Sequence, residues 1–239
     1  MAITFVNEHN QEIIAQDMGN DPTTVSLPTT LEDDIWILAI SWDTATIANG
    51  STFYTDQGYT IIAYSTGDDP DYGLFYKIMG ATPDTTVNIE HSNSASGTGN
   101  LIMQAWRGVD GTTPLDGVTP ALSGSNLNPP SVTTNTDGAL VIAYGALDDD
   151  SATLTTSPAG YTNILFQATG TGTSGDTSAA LGSKIVATAG AEDPATWVFS
   201  TSDQALAYTF VLKPAAGGAA ATPHNAFGLA FYGPFGGPI

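Results

Sequence analysis

The sequence contains no cysteine, which excludes disulfides, thiolate zinc sites and cysteine nucleophiles but does not fix a compartment. Basic residues are almost as scarce: 4 lysines and arginines stand against 24 acidic residues, a formal charge of −20. Such a surface repels phosphate, so nucleic acid and anionic membranes are poor partners. A saline habitat, a basic partner and plain solubility are all left open as reasons for the acidity.

Long apolar runs are also missing. The longest fully apolar stretches are residues 35–40 and 139–144, far short of the roughly 20 residues that a membrane-spanning helix needs. The first five residues, Met-Ala-Ile-Thr-Phe, lack both the basic region and the apolar region of a secretory signal peptide. We therefore expect a soluble chain that starts at its own methionine.

Helix-forming runs are absent, whereas glycine, proline, serine, threonine and aspartate are abundant, a mixture typical of many short strands joined by turns. Residues 100–107 show the pattern most clearly, because their side chains alternate between two faces as in a β-strand. Gly108, the Asp110-Gly111 pair and Pro114 then end that strand. Residues 35–42 and 139–144 are apolar on both faces, so both faces must be covered.

The chain repeats itself at an interval of about 105 residues. Four anchors carry the repeat: Asp33 to Asp137 (104), Gly58-Tyr59-Thr60 to Gly160-Tyr161-Thr162 (102), Lys77-Ile78 to Lys184-Ile185 (107) and Leu101 to Leu206 (105). A shift that drifts by only a few residues favours a duplication with insertions confined to loops. We predict an all-β fold of two tandem antiparallel β-sandwich repeats, residues 1–115 and 116–214. Each should have about six to eight short strands, and the two sandwiches should pack on each other.

The composition changes after residue 214. Residues 215–221 are alanine and glycine, as in a flexible linker, and residues 225–239 combine aromatic side chains with glycine and proline. The four aromatic side chains are Phe227, Phe231, Tyr232 and Phe235. Because such a tail is costly to leave in water, it either folds back onto its own sandwich or docks on another subunit. We predict that residues 215–239 form a flexible linker and an extended docking tail, in which residues 225–239 are held by another subunit and those four side chains are the partner-binding anchors.

Motifs that would indicate catalysis are weak. Residues 170–175 match the dinucleotide pattern G-x-G-x-x-G, but no helix pattern follows to hold a pyrophosphate. The three histidines, His9, His91 and His224, fit no metalloprotease spacing, and no G-x-S-x-G elbow is present. The sequence therefore predicts no enzyme, no cofactor and no catalytic or metal-binding residue, although a Ser-His-Asp triad assembled in space is left open.

Two acidic clusters, Asp68-Asp69-Asp71 and Asp148-Asp149-Asp150, lie in predicted turns, where solvation accounts for them. Neither fits the spacing of an EF-hand loop, so a bound Ca²⁺ is an open minority interpretation. The four tryptophans lie in strand patterns and are expected in the core; stacking on a sugar ring is the alternative.

Three segments resemble recurring motifs of duplicated, jelly-roll-like β-sandwich proteins of tailed-bacteriophage virions and of some bacterial surface proteins. They are Pro158-Ala159-Gly160-Tyr161-Thr162, Phe75-Tyr76-Lys77-Ile78, and Ala105-Trp106-Arg107-Gly108-Val109 continuing through Pro114-Leu115-Asp116. The resemblance covers roughly residues 25–214 and implies a structural role in a virion, as a head decoration, head fibre or tail fibre protein. It implies partners among other virion proteins or copies of this chain, a homo-oligomer, and no catalytic residues.

The absence of coiled-coil heptads or a fibrous repeat favours the head over a long tail shaft. Two other functions are left open: a carbohydrate-binding or adhesive module that contacts a host surface glycan, and a subunit of an extracellular filament.

Overall fold

A computed structural model describes residues 1–14, 23–42, 55–64, 70–89, 98–119, 122–124, 127–149, 151–170 and 177–216. Over these residues the chain is built of β-strands joined by turns, and no helix reaches three turns. The strands of the first half are β1 (Thr4–Ile14), β2 (Thr23–Ser26), β3 (Ile35–Trp42), β4 (Thr60–Tyr64), β5 (Asp71–Ile78), β6 (Thr86–Ile89) and β7 (Thr98–Arg107). Those of the second half are β8 (Leu115–Val118), β9 (Leu122–Gly124), β10 (Val132–Thr133), β11 (Ala139–Leu147), β12 (Leu154–Thr156), β13 (Thr162–Ala168), β14 (Ser178–Val186), β15 (Ala191–Glu192), β16 (Val198–Phe199) and β17 (Ala205–Leu212). The predicted all-β fold is confirmed.

Two large antiparallel sheets carry the same strand order. The first runs β1-β7-β3-β5-β4, and the second runs β8-β17-β11-β14-β13, with β9 also paired to β17. Each strand of the first sheet therefore has a counterpart at the same place in the second. Short two-stranded sheets lie outside them: β2-β6 in the first half, β10-β15 and β12-β16 in the second. The shared order is what a duplicated unit predicts.

Two of the four repeat anchors are displaced by one residue from their true structural counterparts. Asp33 and Gly138 both have positive φ, at 66° and 75°, and each donates its N–H to the carbonyl that ends the neighbouring strand, at 2.9 Å. The counterpart of Asp33 is therefore Gly138, because the position is defined by backbone conformation rather than by the carboxylate.

Leu101 pairs with Ile40 of β3. The residue at the same place in the second sheet is Ala207 of β17, which pairs with Gly145 of β11. Leu206, which the sequence comparison paired with Leu101, lies on the opposite face of its sheet. Leu206 faces the core between the two large sheets, whereas Leu101 faces the outer side of the first sheet. A displacement of one residue in a strand reverses the face of every side chain, and a comparison by residue type does not detect it.

The two large sheets pack face to face, and one apolar core fills the space between them. In β3, Ile35, Ile37 and Ala39 face this inner core, whereas Trp36 and Leu38 face outward. The outward residues are covered by the small β2-β6 sheet, and in the second half the small sheets cover the outer face of β11 in the same way. The doubly apolar strands are therefore buried on both faces, as the sequence predicted, and the body is four layers thick.

A polar contact crosses the inner core. The buried Asn100 amide of β7 donates to the carbonyl and the hydroxyl of Thr177 in the other half, at 2.7 and 2.9 Å. The Thr177 hydroxyl also lies 3.3 Å from that of the buried Ser41. Because buried polar groups need partners with defined geometry, this contact favours one alignment of the two sheets over a sliding apolar interface.

Candidate functional site at the exit of the C-terminal segment

The part of the chain that the structure describes ends at residue 216, beside the turn that follows β7. Three backbone contacts hold the end of β17 to that turn: Asp110 N–H to the Lys213 carbonyl at 3.0 Å, the β-bridge between Val109 and Pro214, and Ala215 N–H to the Gly108 carbonyl at 2.7 Å. Ala215 is the first residue of the predicted linker, and it is held in the body. The last described residues of the chain are therefore held against the sandwich.

An ion pair fixes the same corner. The Arg107 guanidinium donates to both carboxylate oxygens of Asp34, from Nε at 2.7 Å and from Nη2 at 2.9 Å. Asp34 is fully buried and also accepts the Leu31 N–H at 2.7 Å, whereas 42 % of the Arg107 side chain is exposed. The hydrogen bond to Asp34 raises the pKa of Arg107, so this cation stays charged. The pair ties the start of β3 to the end of β7.

Gly108 is required here by space as well as by conformation. Its φ is 82°, and a Cβ at this position would lie 2.4 Å from the Ala2 carbonyl oxygen. The amino group of Met1 in turn donates to the Ala215 carbonyl at 2.8 Å. The first residues of the chain, the turn after β7 and the exit of the C-terminal segment thus meet at one corner.

Two clefts flank this corner, and both are lined by Met1 and Ala215. The first, which we call the Arg107 cleft, has a volume of about 330 Å³ and also contains Arg107, Val109 and Gly111. The second, the Ile185 cleft, has a volume of about 320 Å³ and also contains Ile3, Pro214 and Ile185. These volumes lie at the small end of the range for ligand pockets, and are large enough for single side chains of a docking segment.

The predicted partner-binding residues Phe227, Phe231, Tyr232 and Phe235 lie outside the described residues, as do residues 217–221 of the predicted linker. The docking tail stays a prediction, and nothing in the sequence indicates the clefts. Residues 1, 32, 107–111, 138, 185 and 215 meet only in the fold, and no motif connects them.

Each lysine and arginine side chain of the protein has an acidic partner. Besides Arg107 with Asp34, the pairs are Lys77 with Asp84, Lys184 with Glu192 at 2.7 Å and Lys213 with Asp110 at 3.3 Å. With 24 acidic and 4 basic residues, 24 − 4 leaves 20 negative charges without a lysine or arginine to match them. The net charge of the protein is therefore strongly negative, which favours repulsion between bodies at low salt.

Two of these ion pairs form a duplicated cluster. Lys77 lies 5.6 Å from the centre of the Tyr59 ring, and Lys184 lies 5.9 Å from that of Tyr161. Gly58 and Gly160, both at positive φ, come before the tyrosines. Burial raises the pKa of both tyrosines, and the nearby Asp84 and Glu192 carboxylates add to the shift. The repeat anchors Gly-Tyr-Thr and Lys-Ile are thus parts of one packed unit, with each amine held by a carboxylate and an aromatic face.

The other predicted features separate in space. His9 lies on β1 beside the Gln11 side-chain oxygen at 3.3 Å, while His91 and His224 fall outside the described residues. Of residues 170–175 only Gly170 is described, and the element that follows them is strand β14 rather than a helix. Over the described ranges, no three histidine or acidic side chains converge in a way that could hold a metal ion.

The acidic clusters differ from the expectation at one residue. Asp71 was expected in a solvated turn, but it begins β5 and is only 4 % exposed. Asp149 does lie in a turn, where its carboxylate accepts the Ser151 N–H at 2.7 Å. Asp68, Asp69 and Asp150 lie outside the described part of the chain.

All four tryptophans are core residues, with exposures of 2 % or less. Their predicted place in the sandwich core is confirmed, and stacking of a sugar ring on any of them is contradicted by their burial. A glycan-binding surface would have to use other side chains.

In the described ranges, no helix has the length and apolar character needed to cross a membrane. Comparison of the chain with protein-family models, with curated proteins and with solved structures finds no match.

Proposed function

We propose that this protein is a non-enzymatic structural protein of a bacteriophage virion, a head decoration or head fibre protein, which attaches to other subunits through its C-terminal tail. The observation that carries the proposal is the fixed exit at Ala215. A four-layered body holds the chain there by the Gly108 carbonyl, and the 24 residues that follow Ala215 contain no lysine, arginine, aspartate or glutamate but four large aromatic side chains. A rigid body with an uncharged aromatic arm is suited to attachment rather than turnover.

The arm and the body have opposite chemical characters. The body carries the entire surplus of negative charge and would be repelled by another acidic surface, whereas the arm can enter an apolar pocket without that penalty. Aromatic side chains in such pockets are typical binding hot spots, and each truncation costs on the order of 1–3 kcal/mol. The sequence resemblance to duplicated sandwich proteins of virions supports the same function.

An adhesive or carbohydrate-binding module is the second candidate, and the acidic loop-rich surface is the feature that keeps it open. Because the tryptophans are buried, its sugar contacts would come from exposed side chains such as Tyr64, which is 43 % exposed. Glycan-array binding that disappears in Tyr64→Ala would support that function. A filament subunit, the third candidate, would polymerise alone and would be visible by electron microscopy of the purified protein.

Electron microscopy of particles from the source, labelled with antibodies against the body, tests the proposal. We expect regularly spaced label on the head, with the C-terminal side of the body toward the shell. Label that is absent from particles, or protein recovered only as a free enzyme-like monomer with turnover of a polysaccharide or peptide, would contradict it.

A further inference from the structure

The Arg107 cleft and the Ile185 cleft both expose apolar surface. Met1, which lines both clefts, is 70 % exposed, and Ile185 is 45 % exposed. Arg107 adds a guanidinium whose Nε and Nη2 are taken by Asp34 but whose side chain remains 42 % exposed. Apolar walls beside an exposed guanidinium form a surface that suits aromatic rings, because arginine stacks on ring faces as well as pairing with anions.

The C-terminal segment of this chain suits this surface, and it begins at the edge of the two clefts. Ala215 lines both clefts, and ten residues, 217–226, separate the body from Phe227. Ten residues of alanine- and glycine-rich composition have a random-coil span of roughly 17 Å, which is enough to return to either cleft. A tether of this length gives an effective concentration on the order of millimolar, so even modest contacts would be occupied.

The charges around the two clefts also favour the chain's own C-terminal tail as the occupant. Glu32 and Asp33 border the Arg107 cleft and Asp137 borders the Ile185 cleft, so an acidic peptide would be repelled. Residues 217–239 contain no lysine, arginine, aspartate or glutamate, and their one histidine is His224. The tail of a second copy has the same chemistry, but it must bring another body of charge −20 to this corner. The chain's own tail meets no such repulsion.

We propose that, before assembly, residues 227–235 dock in the Arg107 and Ile185 clefts of their own body. This rests on the proposed function, in which the same residues later bind another subunit. Docking would cover the aromatic side chains in the free protein and prevent the tails from associating with one another. The acceptor on the particle would then bind by displacing the tail from its own body, so the observed affinity equals the intrinsic affinity multiplied by the fraction of tails that are undocked.

Hydrogen exchange of the full-length chain, followed by mass spectrometry, tests this docking. We expect amides in residues 227–235 to exchange at least fivefold more slowly than in a free peptide of the same sequence, and to do so equally at all protein concentrations. Gly111→Leu should abolish this protection, because a Cβ at Gly111 has open space around it and the added side chain would fill the Arg107 cleft. Gly80→Leu is the matched control, since a Cβ there also meets nothing within 4 Å and Gly80 lies outside both clefts.

A second pair of variants probes the Ile185 cleft. Ile185→Ser should reduce the protection of residues 227–235, whereas Val198→Ser, at 44 % exposure and away from the clefts, should leave it unchanged. Both are exposed strand residues, so both variants should fold. Exchange at the rate of the free peptide in the wild-type chain would overturn the docking, and protection that falls on dilution would assign the clefts to the tail of a second copy instead. Loss of the proposed function is a separate result, since it would show as unchanged assembly after deletion of the tail.

Discussion

At the scale of residues, the Asp34–Arg107 pair should contribute more to stability than the three lysine pairs. Asp34 is fully buried and accepts three hydrogen bonds, two from Arg107 and one from the Leu31 N–H. In Asp34→Asn a side-chain NH2 group would replace one of the two carboxylate oxygens that accept from Arg107. Two hydrogen-bond donors would then face each other at a buried position. We expect a loss of about 2–3 kcal/mol in the free energy of unfolding, since Arg107 can regain some water.

Urea unfolding of the two variants Asp34→Asn and Asp84→Asn measures this difference. Asp84 pairs with Lys77 near the surface, with 33 % of its side chain exposed, so its replacement should cost less than about 1 kcal/mol. Equal losses of unfolding free energy in the two variants would show that burial does not increase the contribution of the Asp34–Arg107 pair to stability.

Buried tyrosines make the fold sensitive to alkaline pH. Burial of Tyr208, with a smaller contribution from Tyr72, raises its pKa from 10.0 to about 12, and burial raises the pKa of Tyr144 as well. Because the folded state favours the protonated phenol, this stabilisation is complete below pH 10 and is lost as the pH rises through the folded-state value.

We expect the free energy of unfolding to fall between about pH 10 and 12, with a slope of up to roughly 1.4 kcal/mol per pH unit for each such tyrosine. Tyr208→Phe removes one of these groups and should make the slope shallower by up to that amount. Denaturant unfolding at several pH values measures it. A slope that is the same in the variant would show that Tyr208 ionises equally in the folded and unfolded states.

At the scale of elements, the outer layer of the second half packs closely on β11 because the residue beneath Trp197 is a glycine, Gly145. A Cβ on Gly145 of β11 would lie 2.8 Å from the Trp197 ring and 3.3 Å from Leu127. Trp197 is 1 % exposed and cannot move aside without disturbing its neighbours. Gly145→Ala should therefore overpack this layer and lower the free energy of unfolding by about 1–3 kcal/mol.

Gly190→Ala is the control for this prediction, because a Cβ at Gly190 meets nothing within 4 Å. Thermal unfolding followed by near-ultraviolet circular dichroism should show a lower transition temperature for Gly145→Ala and a changed tryptophan signal. A transition unchanged in both variants would mean that Trp197 tolerates the added methyl group.

Elements and their alternation could be predicted from the sequence, but register could not. The doubly apolar runs at residues 35–42 and 139–144 fixed the two central strands, and the anchors at Tyr59 and Lys77 found their counterparts. Asp33 and Leu101 were each matched one residue away from their counterparts, because residue type was compared where backbone conformation and face decide. Sequence spacing does not report φ or the side of a sheet.

The site could be predicted only in part, for a related reason. The aromatic tail is a local change in composition, so the sequence reveals it. The clefts beside Ala215 depend on contacts between residues more than a hundred positions apart, such as Met1 with Ala215. The residues of that corner follow no spacing pattern in the sequence, and only the folding of the two sheets brings them together.

At the scale of the whole molecule, the two repeats share one inner core and should unfold together. β3 and β11, one from each half, both contribute side chains to this core, and Asn100 donates across it to Thr177. Separating the halves would expose that entire apolar layer. We therefore expect a single cooperative transition, with equal calorimetric and van't Hoff enthalpies.

Differential scanning calorimetry of the full chain, together with expression of residues 116–214 alone, measures this coupling. The isolated repeat should be unfolded or aggregated, because its inner face would lose its cover. Two resolved transitions, or a folded and monomeric second repeat, would show that the two sandwiches are independent domains.

The central claim is that a self-sufficient body attaches through its tail, and assembly of a chain that ends at residue 221 tests it most directly. Particles would be formed with the full chain, with the shortened chain, and with a chain carrying alanine at Phe227, Phe231, Tyr232 and Phe235. Quantitative mass spectrometry of purified particles would then give the occupancy of each. We predict that the shortened chain is folded and soluble yet falls at least tenfold in occupancy, and that the alanine variant behaves in the same way. Unchanged occupancy of the shortened chain, or its failure to fold, would contradict the account.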